Sequence, residues 1–363
     1  MTRIDRLQAR MVETGTDLVV LAPGAHLVWL MDVRPHADER AVLACISQNG
    51  VGFLMPALEA DSAREQTDLP FFEWADADGP VAALDRLMHE LGVANAGSIV
   101  LDEAMRADHA ALVQDRLLNA KRAFTGETVG ALRVRKDAEE YALLKKNALS
   151  ADTAMQAAWS AMKPGMTEAE VAGLVKGAFA DQGARVLFSV VGTGRNGAFP
   201  HHHTGHAVLR EGDAVVMDIG GKIDGYVSDI TRMAIIGHAP EGFAEVHAVV
   251  NGAVDAAMAA ARPGTKAHVV DNAARKVITD AGYGDYFIHR TGHGLGTEVH
   301  EPPYITSTSE VVLEEGMVFS IEPGIYLPER FGLRLEEIVI LRADGPEILS
   351  ELPRDAKVIG PDP

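Results

Sequence analysis

Cys45 is the only cysteine in the 363 residues. One thiol cannot close an intrachain disulfide or build a cysteine-based zinc site, so neither holds this fold together. There is also no Lys/Arg-rich run, and the net charge is −19. A basic nucleic-acid face is therefore not expected. No stretch approaches the ~18 continuous apolar residues of a membrane span, and the opening MTRIDRLQAR lacks an apolar signal core. These absences predict a soluble cytoplasmic protein without nucleic-acid or membrane partners. Most of the acidic surplus reads as solvated surface, which leaves a minority of carboxylates for bound cations. What the chain does have is core material: 47% of it is hydrophobic, and its length suits two domains.

The first third alternates apolar runs with amphipathic stretches. Residues 17–23, 26–31, 39–46, 51–56 and 98–102 read as strands, and 80–91 and 104–118 as helices, an α/β pattern. The polar stretch KRAFTGETVG (121–130) reads as a domain boundary, giving domains 1–127 and 132–363. A long helix is predicted over about 137–162, where Tyr141, Leu144, Ala148, Met155, Trp159 and Met162 recur at helical spacing. Pro164-Gly165 ends it, and Thr167 with Glu170 forms a capping box for the next helix.

The second part of the chain repeats itself. LREGDAVVMDIG (209–220) aligns without a gap on LEEGMVFSIEPG (313–324), which places Asp218 on Glu322. KPG and DQG (163–165, 181–183) return as RPG and DAG (262–264, 280–282), 99 residues later, and the same offset carries His201 onto His300. Two related α/β halves follow.

Each repeated apolar run carries one carboxylate, and a buried lone carboxylate is costly unless it is paired or holds a cation. Asp224-Gly225 is a hairpin signal that puts Asp229 on the face of Asp218. In the run GLRLEEIVIL (332–341), Arg334 and Glu336 share one face and Glu337 takes the other, so one of the two glutamates can join the cluster. His293 lies between glycines that allow close approach. Two unit charges 4 Å apart cost about 4 kcal/mol at an effective dielectric of 20. Four clustered carboxylates therefore cannot all stay ionised unaided, whereas two divalent cations neutralise them and can lower the pKa of water to about 7. A set of carboxylates with one imidazole favours manganese, with cobalt, iron or zinc as alternatives.

VMDIGG, SDITR, GHGLG, EPG and RLEE, in that order, resemble the motifs of the pita-bread metallopeptidases: methionine aminopeptidase, Xaa-Pro aminopeptidase and prolidase. The resemblance covers roughly residues 133–350 by motif. By layout it extends to a creatinase/prolidase-like N-terminal α/β domain before a pita-bread domain with an internal pseudo-two-fold repeat. It implies a dinuclear hydrolase of Xaa-Pro bonds in dipeptides or short peptides, working as a homodimer. Asp218 would bind one metal, His293 and Glu322 the other, and Asp229 and Glu336 would bridge. Glu322 would also be the general base. His201 and His300 would meet the scissile carbonyl or the tetrahedral intermediate. Arg334 would support the site or meet a substrate carboxylate. Where many members show a YLTG-like run this chain has WLMD (29–32), and Trp29 reads as core. Rival readings are a creatinase-, ectoine-hydrolase- or sulfonium-lyase-like enzyme of a non-peptide, and a non-catalytic binding protein. Creatinase-like relatives dispense with the metal set and a binding protein would lose ligands, and all five are present.

Overall fold

Thr2 and Asp5 cap each other's backbone and start α1 (Arg3–Thr14) in the computed structural model, which describes residues 1–360. Two units divide the chain, the first being Met1–Arg133 and the second starting at Val134. The first continues through β1 (Leu18–Leu21), α2 (Ala25–Met31), β2 (Leu43–Ser47), β3 (Val51–Pro56), α3 (Ala57–Arg64), β4 (Phe71–Trp74), α4 (Val81–Glu90), β5 (Ser98–Leu101), α5 (Ala107–Gln114), β6 (Lys121–Phe124) and α6 (Val129–Arg133). Its strands form one mixed sheet, ordered β4-β3-β2-β1-β5-β6. Side chains of central β1 alternate between two apolar layers. Leu18 and Val20 join Leu84 and Leu87, whereas Val19 and Leu21 join Leu7, Met11 and Trp29.

Two expectations change here. Residues 26–31, read as a strand, form α2, because a short apolar run carries no periodicity that separates strand from helix. The stretch 121–130 opens with β6, an exposed edge strand that pairs through its backbone with β5, so its polar composition gave no strand signal. The division falls after Arg133.

The second unit runs α7 (Ala138–Ala161), α8 (Glu168–Asp181), β7 (Arg185–Thr193), β8 (Ala214–Ile223), β9 (Tyr226–Val227), β10 (Ile230–Ile236), α9 (Phe243–Ala260), α10 (Ala267–Asp280), β11 (Gly292–Gly294), β12 (Glu301–Ile305), β13 (Val318–Ile321), β14 (Gly324–Leu327), β15 (Phe331–Arg334), β16 (Glu337–Arg342), β17 (Gly345–Ile348) and β18 (Lys357–Ile359). The repeat is structural. β8 lies between β7 and β10, and β13 lies between β11 and β16. Gly165 N donates to Leu209 O, and Gly264 N donates to Leu313 O. Leu209 N returns to Met166 O as Leu313 N returns to Thr265 O. Asp218 sits in β8 and Glu322 immediately follows β13, so both stand on the central strand of their half. The run 332–341 is not one strand: it divides at Leu335-Glu336 between β15 and β16, which belong to different sheets. That break brings Glu336 to the point where the two halves meet.

Candidate metal centre

The β8–β9 turn sets the first pair of carboxylates. Asp224 and Gly225 have φ of 52° and 84°, the left-handed pair that a two-residue hairpin requires. Ile223 faces Tyr226 and Asp218 faces Thr231 in one unslipped register. Asp229 therefore lies on the face of Asp218, as a diagonal neighbour.

The second half supplies the rest. His293 Nε2 lies 3.1 Å from Glu322 Oε1 and 3.7 Å from Asp229 Oδ2. Its Nδ1 donates to Gly294 O at 3.1 Å, which turns Nε2 toward the carboxylates as the nitrogen a cation would take in place of its proton. Ser320 Oγ donates to Glu322 Oε1 and accepts from His293 N, both at 2.9 Å. Thr231 Oγ1 donates to Glu336 Oε2 at 2.9 Å and accepts from Arg334 Nε at 3.0 Å. Asp229, His293 and Glu336 each present one ligand atom within 4.8 Å of the others. All five side chains thus converge.

Electrostatics identifies what the cluster wants. Burial, then the neighbouring carboxylates, pushes Asp229 and Glu336 well above the usual carboxylate range. Burial also raises Asp218, against the pull of Arg334. Glu322 is buried too, but its bond to His293 and the nearby His289 and Arg334 outweigh burial and hold it low. Asp218 Oδ1 and Glu336 Oε1 are buried with no hydrogen-bond partner among the described residues. Unsatisfied buried carboxylate oxygens are costly, and divalent cations satisfy them with the hard, oxygen-rich donors such ions prefer. The residues fit a metal centre.

Arg334 is 3% exposed and bonds through all three of its nitrogens. It donates to Thr231, to Tyr326 OH at 2.7 Å, to Pro200 O at 3.4 Å and to Asp218 Oδ2 at 2.6 Å. Glu337 points away, with both oxygens 3.1 Å from Arg232 Nη2. Tyr226 OH donates to Glu140, outside the cluster. His300 stacks edge-on against His293, with ring centroids 4.2 Å apart. His201 is exposed and close enough to His289 and His300 to disfavour their charged forms. Burial first, then His293, lowers His300 to about 4.

Sequence reasoning passed over three members of this neighbourhood. His289, which lies outside the motifs, meets Tyr326 OH at 2.8 Å through Nε2 and is lowered by burial to about 4. Its position one helical step before His293 is no strand signal, and only the fold brings it to Tyr326. Ser320 joins His293 to Glu322 from within an apolar strand. His202, in the polar segment beside His201, is held on Glu168.

Comparison with known proteins follows the same division. Residues 142–343 match metallopeptidase family M24, and residues 3–135 match the creatinase/prolidase N-terminal domain. The crystal structure of dipeptidase PepE from Mycobacterium ulcerans is 35% identical, covers 99% of this chain and 97% of its own, and superposes with a TM-score of 0.93. A dipeptidase from Pyrococcus horikoshii is 34% identical over 98% of this chain and all of its own, with a TM-score of 0.90. The Xaa-Pro dipeptidase of Pyrococcus furiosus is 31% identical over 97% of this chain and 99% of its own length.

Proposed function

The chain belongs to metallopeptidase family M24, and on that premise we propose that this metallopeptidase hydrolyses Xaa-Pro bonds in dipeptides or short peptides with two divalent cations per chain. The catalytic domain is residues 132–363, preceded by a domain over 1–127. Asp218 would hold one cation, His293 and Glu322 the other, and Asp229 and Glu336 both. Manganese suits this hard set best, with cobalt, iron or zinc as alternatives. When bound, the cations supply Lewis acidity and make water a nucleophile near neutral pH.

The chain's own groups do the remaining work. Glu322, oriented by Ser320 Oγ, accepts the proton of the attacking water as general base. His300, neutral at working pH because burial lowers it, donates to the scissile carbonyl oxygen together with His201, and their bonds strengthen as that oxygen gains charge. Arg334 spends four of its five N–H groups on protein partners. Its bonds to Asp218, Thr231 and Tyr326 support a role in holding Asp218 and, through Thr231, Glu336. Proline after the cleaved bond removes an amide N–H and fixes φ, and none of these contacts needs that donor. A homodimer working in the cytoplasm completes the reading.

One observation carries it: four carboxylates and one imidazole converge with two buried oxygens left without partners. The test is metal content together with hydrolysis of Ala-Pro, Ala-Pro-Ala and Ala-Ala by manganese-loaded protein. Two equivalents of metal and cleavage of the proline substrates, with Ala-Ala much slower, are expected. Full activity in excess chelator, or no preference for proline, overturns the proposal.

A further inference from the structure

Glu168 is the first residue of α8 and is 0% exposed. It does not serve the helix, whose end already has a capping box from Thr167 and Glu170. Among the described residues, the four donors to its carboxylate all come from one segment downstream. Oε1 accepts from Thr193 N and Asn196 Nδ2, both at 2.9 Å. Oε2 accepts from His202 Nε2 at 2.8 Å and Gly205 N at 3.0 Å. Two backbone bonds reinforce the contact, Glu168 N to Ala207 O and Ala169 N to Gly205 O. Burial works against ionisation, but His202 and the other donors outweigh it, so the carboxyl sits below its usual range.

The segment it grips carries His201. On one side of His201, Pro200 O is held by Arg334. On the other, His202 is held by Glu168. His201 itself is exposed and sits between these two anchors, with Thr204 tied further along to Ser189 O and Val191 N. The second half uses the same device. Asp271, also 0% exposed, lies on α10 and accepts from Thr291 N at 3.0 Å and Thr291 Oγ1 at 2.9 Å, two residues before His293. In each half, a buried carboxylate on the second helix fixes the segment that brings a histidine to the site.

We propose that Glu168 is a positioning residue that holds the 193–205 segment so that His201 meets the substrate. The proposal rests on the reading of His201 given above. Glu168→Gln keeps the shape but turns an amide NH2 toward donors that need an acceptor, so at least one pair of contacts is lost.

The test uses full-length, manganese-loaded protein and two readouts. In hydrogen exchange, Glu168→Gln is expected to lose protection over residues 194–206 and to keep it over 291–305. In Ala-Pro hydrolysis, kcat is expected to fall roughly 10- to 100-fold with metal content unchanged, the scale of a misplaced contact group. In a His201→Ala background the same substitution should cost less than about twofold, because contacts that act through one residue are not additive. If Glu168→Gln does not fold, His202→Ala, which removes one donor from the partly exposed side, is expected to give the same pattern at smaller amplitude. Unchanged exchange over 194–206 overturns the latch. Equal losses in both backgrounds show a general structural effect and overturn its action through His201. A fully active His201→Ala variant instead overturns the role of His201, and exchange then judges the latch alone.

Discussion

At the scale of single residues, adjacent glutamates of one motif do different work. Glu336 faces Thr231 and the cluster, whereas Glu337 faces Arg232. Replacing Glu322 with Gln removes the proton acceptor, and kcat for Ala-Pro is expected to drop on the order of 10²-fold or more. Glu337→Gln should leave kcat per folded molecule within a few fold. Its cost appears in stability, because Arg232 is 0% exposed and would lose its neutralising partner. Breaking a buried pair from one side costs roughly 3 kcal/mol, which denaturant unfolding of the metal-loaded protein measures. Comparable kcat losses in the two variants would show that the wrong glutamate has been assigned to the site.

At the scale of elements, the distance between Asp218 and Asp229 depends on how closely β7, β8 and the β9 hairpin pack. Gly220 is the tight point: a Cβ there would come 2.3 Å from the Phe188 ring and 2.5 Å from Ser228 O. Because one of those atoms is backbone, the strands must move apart. Gly220→Ala is expected to destabilise the protein by about 1–3 kcal/mol and to weaken metal binding. Gly173, in α8, has nothing within 4 Å of its Cβ position, and Gly173→Ala should stabilise by about 0.5–1 kcal/mol. Thermal unfolding with a metal titration separates the pair. If Gly220→Ala binds metal as tightly as the parent, the strand spacing does not set the site.

At the scale of the whole molecule, the centre links folding to both metal and protons. In the metal-free chain Asp229 and Glu336 have raised pKa values. The folded state therefore binds more protons than the unfolded state above the ordinary carboxylate range, and stability falls as pH rises through that window. Glu322 shifts the opposite way, but it titrates below the ordinary range and so outside the window. Relative to chelated Glu336→Gln, the chelated parent should thus be more stable at pH 5 than at pH 7.5, a comparison that cancels His289 and His300, whose burial-lowered pKa values of about 4 pull the other way. Metal-loaded protein should show the reverse order, because protons compete with cations for the same oxygens. The same slope with and without chelator would separate these carboxylates from metal binding.

Local pattern was enough for much of this. The capping box at Thr167, the Asp224-Gly225 turn and the long helix α7 are written in short-range chemistry, and short-range chemistry survives in the fold. The repeat was legible because two halves with the same packing need the same turn residues at the same spacing. The clustering of the carboxylates was legible because charge inside an apolar strand breaks a rule that only a site excuses. Other features were not local. Residues 26–31 became helix, β6 paired without an apolar face, and the strand over 332–341 broke at Glu336, each decided by what lay alongside. Arg334 shows the limit most plainly. Its place in the motif allowed either a structural support or a reader of substrate. Four partners from separate parts of the chain take four of its five N–H groups, so its tertiary surroundings favour support over recognition of a ligand.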